Sequence, residues 1–185
     1  MEPEQEQPRT GSALRELLET LILTVVTYLL VRTFLFETYR VVGQSMEQTL
    51  EQDQRLIVSK LTYRLHEPQR GDIVVFHDPQ DPDRNLIKRI IGLPGEILEI
   101  RNGQVFINGQ QLDEPYLGST STSSEPQTAI PDGHYFVMGD NRNNSSDSRS
   151  WGTLAAGNIV GKAAFTYWPV RSWGPAPHET YGIEP

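Results

Sequence analysis

NLIKRIIGLPGEILEIRNGQVFING, residues 85–109, decides the fold of this chain. Residues 85–91, 96–100 and 104–107 are short runs rich in Ile, Leu, Val and Phe, with Pro94-Gly95 and Asn102-Gly103 between them and Asn108-Gly109 after them. Runs this short, rich in β-branched residues and bounded by turn residues, read as strands rather than helices. Asn-Gly between two such runs is a strong hairpin signal, because both residues tolerate the positive φ of a type I′ turn. The stretch therefore reads as antiparallel strands joined by tight turns.

The same pattern extends on both sides. Residues 38–42, 55–60, 72–77, 134–139 and 158–168 are strand-like, with turn signals at Arg70-Gly71-Asp72 and Asp132-Gly133. DPQDPD (78–83), broken by prolines and lacking the Gly and terminal Glu of a calcium loop, reads as a turn. GSTSTSSEPQT (118–128) reads as an exposed Ser/Thr-rich loop, and 171–185 as an irregular tail. The expected fold class is mainly β: a compact antiparallel β-sheet or barrel-like domain over residues 37–170. A chain of 185 residues suits one such domain plus an appendage, and 15 glycines with 13 prolines fit a turn-rich β chain.

The appendage is LRELLETLILTVVTYLLVRTFLF, residues 14–36, preceded by a polar tail (1–13) that reads as disordered. Leu21 to Val31 carries no charge, and the run is long enough to cross a bilayer, with Arg32 placed to snorkel. Glu19, Thr20, Thr24 and Thr27 suit the alternative of an amphipathic helix packed on a soluble domain; the length of the run favours a membrane anchor. A cleaved leader would end at small residues, whereas this run ends at Phe34, Leu35 and Phe36. Arg9 and Arg15 before the span balance Arg32 and Arg40 in or after it, so charge leaves the orientation open.

Composition narrows the chemistry. With no cysteine there is no disulfide, thiol nucleophile or Cys-bound zinc. A net charge of −8 argues against nucleic acid as a partner. No His-Glu-x-x-His spacing suggests a metal, no Gly-x-Ser-x-Gly elbow is present, and His66, His77, His134 and His178 lack distinctive neighbours. Neither a metal nor an organic cofactor is expected.

Three segments stand out. GQSMEQTL (43–50) places Gly43 two residues before Ser45, where glycine permits close backbone approach. In 85–91, alternation puts Lys88 with Leu86 and Ile90, and Arg89 with Ile87 and Ile91. At most one of those faces can be open to solvent, so one cation lies on a partly buried face. Arginine stays protonated, whereas burial lowers a lysine from ~10.4 toward neutrality and lets it act as a base. Periodicity does not choose between Lys88 and Lys162, which lies in the apolar run from Val160 to Phe165. The third segment, MGDNRNNSSDSRSWG (138–152), gathers Asp140, Arg142, Asp147 and Arg149 with Ser145, Ser146 and Ser148. Arg–carboxylate forks would make such a loop rigid enough to orient a neutral lysine.

Together these segments resemble bacterial type I signal peptidase. Its motifs run Ser-Met-x-Pro-Thr-Leu, Arg-Gly-Asp-Ile-Val-Val-Phe, Lys-Arg-x-x-Gly-x-Pro-Gly and Gly-Asn/Asp-Asn-Arg-x-x-Ser-x-Asp-Ser-Arg-x-Trp-Gly. Here they stand at Ser45–Leu50, Arg70–Phe76, Lys88–Gly95 and Gly139–Gly152. The similarity spans roughly residues 14–170, anchor included. It implies a membrane-bound serine endopeptidase that removes signal peptides from secretory preproteins, with its catalytic domain outside the bacterial plasma membrane and in contact with phospholipid. It further implies Ser45 as nucleophile, Lys88 as general base and Ser145 as the group orienting the lysine. The Ser45 N–H is the implied oxyanion donor, with Gly43 where some members have a second, hydroxyl donor. Val42, Met46, Leu50, Leu56, Leu86 and Ile87 match pocket positions, and Asp140, Arg142, Asp147 and Arg149 match structural salt-bridge positions. Gln48 replaces a motif proline, Asp53-Gln54 stands where a Gly-Asp turn is usual, and Asn143 stands where many members have Asp.

Other readings use the same residues differently. One is a dedicated peptidase for a few preproteins of the pilus or conjugation type. The self-cleaving Ser/Lys repressors need a DNA-binding module, where residues 1–36 offer a span instead. A catalytically silent, membrane-anchored β domain fits Gln48 and Asp53 but not the intact Ser45, Lys88 and Ser145.

Overall fold

The computed structural model describes residues 10–118 and 121–181. Helix α1 spans Thr10–Phe34, so it starts before the expected boundary at residue 14. The rest of the expected tail lies outside the described residues. The apolar part of α1, Ala13–Phe34, has a mean hydropathy of 1.7, and none of it is buried against the rest of the chain. An apolar helix that buries no face against protein is suited to lipid. At 1.5 Å per residue the apolar part reaches roughly 33 Å, enough for a hydrocarbon core of ~30 Å. Two of the threonines that suggested an amphipathic helix bond to the helix backbone: Thr20 Oγ1 donates to Glu16 O and Thr24 Oγ1 to Thr20 O, both at 2.8 Å.

The remainder is β structure: β1 Phe36–Arg40, β2 Arg55–Ser59, β3 Ile73–Asp78, β4 Asp81–Gly92, β5 Ile97–Arg101, β6 Gln104–Ile107, β7 Gln110–Gln111, β8 Glu125–Ala129, β9 His134–Met138, β10 Leu154–Ala155, β11 Ile159–Trp168 and β12 Gly174–Pro175. Two single-turn helices interrupt it, α2 Thr62–Leu65 and α3 Ser148–Trp151. One sheet has eight strands in the order β1-β2-β11-β3-β4-β9-β10, with β12 added to β11; a second has four, in the order β7-β6-β5-β8. All pairings are antiparallel, as expected. Asn102 and Gly103 have φ of 48° and 81°, and Asn108 and Gly109 51° and 84°, the positive pairs of type I′ turns.

β4 is the spine of the large sheet. β3 flanks it on one side, with Val74 opposite Lys88, and β9 on the other, with Met138 opposite Arg89. Leu86 and Ile90 join a cluster with Val74, Phe76 and Val137, while Ile87 and Ile91 pack into two other clusters. Lys88 and Arg89 are therefore both buried, at 2% and 0% exposure. The expectation of one partly buried face understated the burial, because the second half of β4, between β3 and β9, has packed clusters on both faces.

Three segments depart from expectation. Residues 125–129 form β8 on the edge of the small sheet, where Thr128 pairs with Leu98, although 118–128 reads as a loop. Low apolar content hides an edge strand whose stability comes from its partner. DPQDPD is a turn only at Pro79-Gln80; β4 begins at Asp81, with Asp78 and Asp81 paired. The tail from residue 171 has little regular structure but is pinned down. His178 Nδ1 accepts from Ile73 N–H at 3.0 Å and Nε2 donates to Ala163 O at 2.7 Å, bridging β3 and β11. Burial first, and the charge of Lys162 second, hold His178 below the usual histidine pKa, in the neutral form that both bonds require.

Candidate active site

The loop between β1 and β2 carries Ser45. Its neck is closed by Val41 N–H to Gln54 O at 2.8 Å and Asp53 N–H to Val41 O at 2.9 Å. Gly43 turns the chain at φ 91°, and Leu50 N–H to Met46 O at 2.8 Å winds one helical turn after the serine. Met46 and Leu50 anchor that turn in a cluster with Val41, Leu56, Ile73 and Ala163. Ser45 is thereby held over β4, where Lys88 Nζ lies 2.6 Å from Ser45 Oγ. Burial, the dominant cause, pushes Lys88 down from 10.5 to about 8, while the carboxylates of Asp147 and Asp140 pull the other way. Lys162 is excluded as the partner of Ser45: it pairs with buried Asp72 at 2.5 Å.

The 139–152 segment packs behind this pair. Asn141 N–H donates to the Ser45 carbonyl at 3.0 Å. A Cβ on Gly139 would lie 2.3 Å from Ser145 Oγ and 2.5 Å from Ser45 O, so only glycine lets the hydroxyl and the nucleophile's backbone share this small volume. Ser145 Oγ is buried with no hydrogen-bond partner among the described residues. The Ser45 N–H gives no backbone hydrogen bond among the described residues.

The four charged residues of this segment all form ion pairs, though not all with one another. Asp147 takes a fork from Arg149 and the Gly139 N–H; burial opposes its ionisation, but Arg149 outweighs that and holds its pKa below the usual range. Asp140 pairs instead with Arg89 of β4, at 2.8 Å with both side chains at 0% exposure. Arg142 pairs with Glu114, outside the segment. Sequence spacing suggested bonds within the loop; the loop is in fact bolted to two other parts of the domain.

A cleft of about 100 Å³ opens beside the pair. Val42, Leu56, Leu86 and Ile87 line it, together with Tyr39, Arg40, Val41, Val75 and Asn85, which were not singled out. Met46 and Leu50 do not line it but support its wall. The alternation of β1 and β4 was the available signal for Tyr39 and Asn85. A larger groove, about 600 Å³, lies away from the pair between α1 and the sheet.

The departures also have structural readings. Gln48 has φ 85°, a left-handed geometry closed to proline, whose ring fixes φ near −65°. Its Oε1 accepts from Gly118 N–H at 2.5 Å. Asp53 takes up φ 70°, doing without glycine, and accepts from Arg40 at 2.7 Å. Nothing in the structure accounts for Asn143.

The family model described as "Signal peptidase, peptidase S26" matches residues 14–168. This chain belongs to the signal peptidase family. A signal peptidase I of Leptolyngbya laminosa is 43% identical over 180 residues, covering 94% of this chain and 89% of its own length. A probable signal peptidase I-1 of Synechocystis is 42% identical over 174 residues, covering 90% and 89%. A crystal structure of an Enterococcus faecalis signal peptidase I has 34% identity and a TM-score of 0.49, covering 54% of this chain and 98% of its own. In this chain Ser45 and the buried Lys88 are in hydrogen-bond contact.

Proposed function

We propose that this chain is a membrane-anchored serine endopeptidase that removes signal peptides from secretory preproteins, with Ser45 as nucleophile and neutral Lys88 as general base. The observation that carries the reading is the 2.6 Å contact between Lys88 Nζ and Ser45 Oγ, on a lysine that is 2% exposed and borders the cleft. Ser45 Oγ attacks the scissile carbonyl as its proton passes to Lys88 Nζ. The oxyanion is met by the Ser45 N–H, with Gly43 supplying backbone rather than a hydroxyl. Lys88 returns the proton to the leaving amine, and a water deprotonated by Lys88 releases the acyl group. Ser145, whose hydroxyl is buried against Gly139 beside Ser45 and makes no hydrogen bond among the described residues, is assigned to orient the amine during the reaction. A cleft of about 100 Å³ suits small side chains and rejects bulky ones, in keeping with small-x-small cleavage sites.

The catalytic domain, residues 37–170, lies on the extracytoplasmic side of the bacterial plasma membrane in this reading. Phe36, Trp168, Val170 and Trp173 are exposed apolar side chains on the β domain and rest in the phospholipid interface. Cleavage of a synthetic preprotein by the full chain in detergent tests the assignment. Cutting after a small-x-small site, lost in both Ser45→Ala and Lys88→Met, supports it. An active Lys88→Met enzyme would move the base elsewhere, and a wild-type chain inert toward several preproteins would favour the narrow-substrate reading.

A further inference from the structure

Arg142 and Glu114 are nearly sealed from solvent, with side-chain exposures of 1% and 6%. Arg142 Nη1 donates to Glu114 Oε2 at 3.0 Å, and Nη2 donates to Oε1. The remaining edge of the guanidinium, Nε, donates to Gly139 O at 3.2 Å. Gly139 is the residue against which Ser45 O and Ser145 Oγ are packed. A guanidinium is planar and rigid, so the carboxylate on one edge fixes what the other edge can hold. The carboxylate is itself braced: Tyr116 Oη donates to Glu114 Oε1 at 2.7 Å and accepts from Tyr181 Oη at 3.0 Å. The Tyr116 ring lies 4.1 Å from the guanidinium carbon of Arg89, whose fork holds Asp140. A segment outside the recognised motifs thus touches both arginines that hold the active-site loop.

We propose that Glu114 is a positioning residue for the peptidase reaction: through Arg142 it holds the Gly139 carbonyl, and with it Ser45 and Ser145, in register with Lys88. The inference rests on the Ser45/Lys88 reading. It differs from a general need for buried ion pairs, and the molecule supplies its own control. Arg70 and Glu96 form a second bidentate pair, with exposures of 5% and 6%, but bind Ile91 O and Leu93 N–H rather than the active-site loop.

The test uses the full chain in detergent and a synthetic preprotein, measuring kcat, KM and the thermal midpoint of Glu114→Gln, Glu114→Asp, Tyr116→Phe, Glu96→Gln and Ser45→Ala. Misplacement of reacting groups predicts that Glu114→Gln lowers kcat roughly 10–100-fold. KM stays within about two-fold, because the cleft is untouched. Glu114→Asp, which keeps the charge, recovers part of the loss. Glu96→Gln lowers the thermal midpoint comparably but keeps kcat. An unchanged kcat in Glu114→Gln overturns the inference, as does an equal loss of kcat in Glu96→Gln or a change confined to KM. If Glu114→Gln does not fold, Tyr116→Phe decides: a several-fold fall in kcat at constant KM supports the inference, and wild-type kcat overturns it. Full activity in Ser45→Ala sinks the dyad reading itself; a dead Ser45→Ala beside a fully active Glu114→Gln sinks only the role of Glu114.

Discussion

Lys88 pays for its reactivity in stability. A buried amine whose pKa falls from 10.5 to about 8 is easier to keep charged in the unfolded chain than in the folded one. The penalty is full below pH 8, shrinks between pH 8 and 10.5, and is absent above. A shift of that size corresponds to about 3 kcal/mol. Lys88→Met is therefore expected to raise the thermal midpoint at pH 7 by on the order of 10 °C. The gain should fade as pH rises past 8; a midpoint that drops at pH 7, or a gain that grows with pH, contradicts the account. Strand periodicity placed Lys88 in an apolar run but did not separate it from Lys162; only the motif resemblance singled out Lys88. In the structure the distinction lies with Asp72, which takes Lys162 into an ion pair beside the β3–β11 pairing. Gln48 and Asp53 show the complementary limit: their left-handed φ values belong to this loop and were not legible in residue type.

At the scale of elements, the site is two loops laid on one strand. The strands and their Asn-Gly hairpins were legible because alternation and turn chemistry act over a few residues. The edge strand β8 was not, since its pairing with β5 supplies what its own composition lacks. Nor were the partners of Asp140 and Arg142, which lie 51 and 28 residues away in the chain. The contact between the loops depends on the missing side chain of Gly139. Gly139→Ala would drive a methyl into Ser145 Oγ and the Ser45 backbone. It should cut kcat by roughly 100-fold or more, as a displacement near 1 Å does. Preprotein cleavage under saturating substrate checks this; a variant within a few-fold of wild type would mean the loops tolerate separation.

For the whole molecule, the anchor and the site have to act at one depth. α1 was legible from its length and its uncharged centre, Leu21 to Val31, whereas the residues that form an apolar rim were not, because Trp168 and Trp173 are far from α1 in sequence. Those tryptophans are 52% and 66% exposed, while Trp151 packs on Phe76. Brominated lipids in vesicles should quench the wild-type fluorescence, and the quenching should largely disappear in Trp168→Phe/Trp173→Phe. Wild-type fluorescence left unquenched by brominated lipids would place the rim in water. The central claim, that a lysine buried in the sheet is neutral enough to serve Ser45, is open to direct observation. The chain has only three lysines, Lys60, Lys88 and Lys162. Lysine labelled at the side-chain carbon and nitrogen gives three resonances to titrate by NMR in the full chain, with Lys88→Met assigning one. The account predicts that this resonance titrates near 8. A midpoint near the ordinary ~10.4 would contradict it.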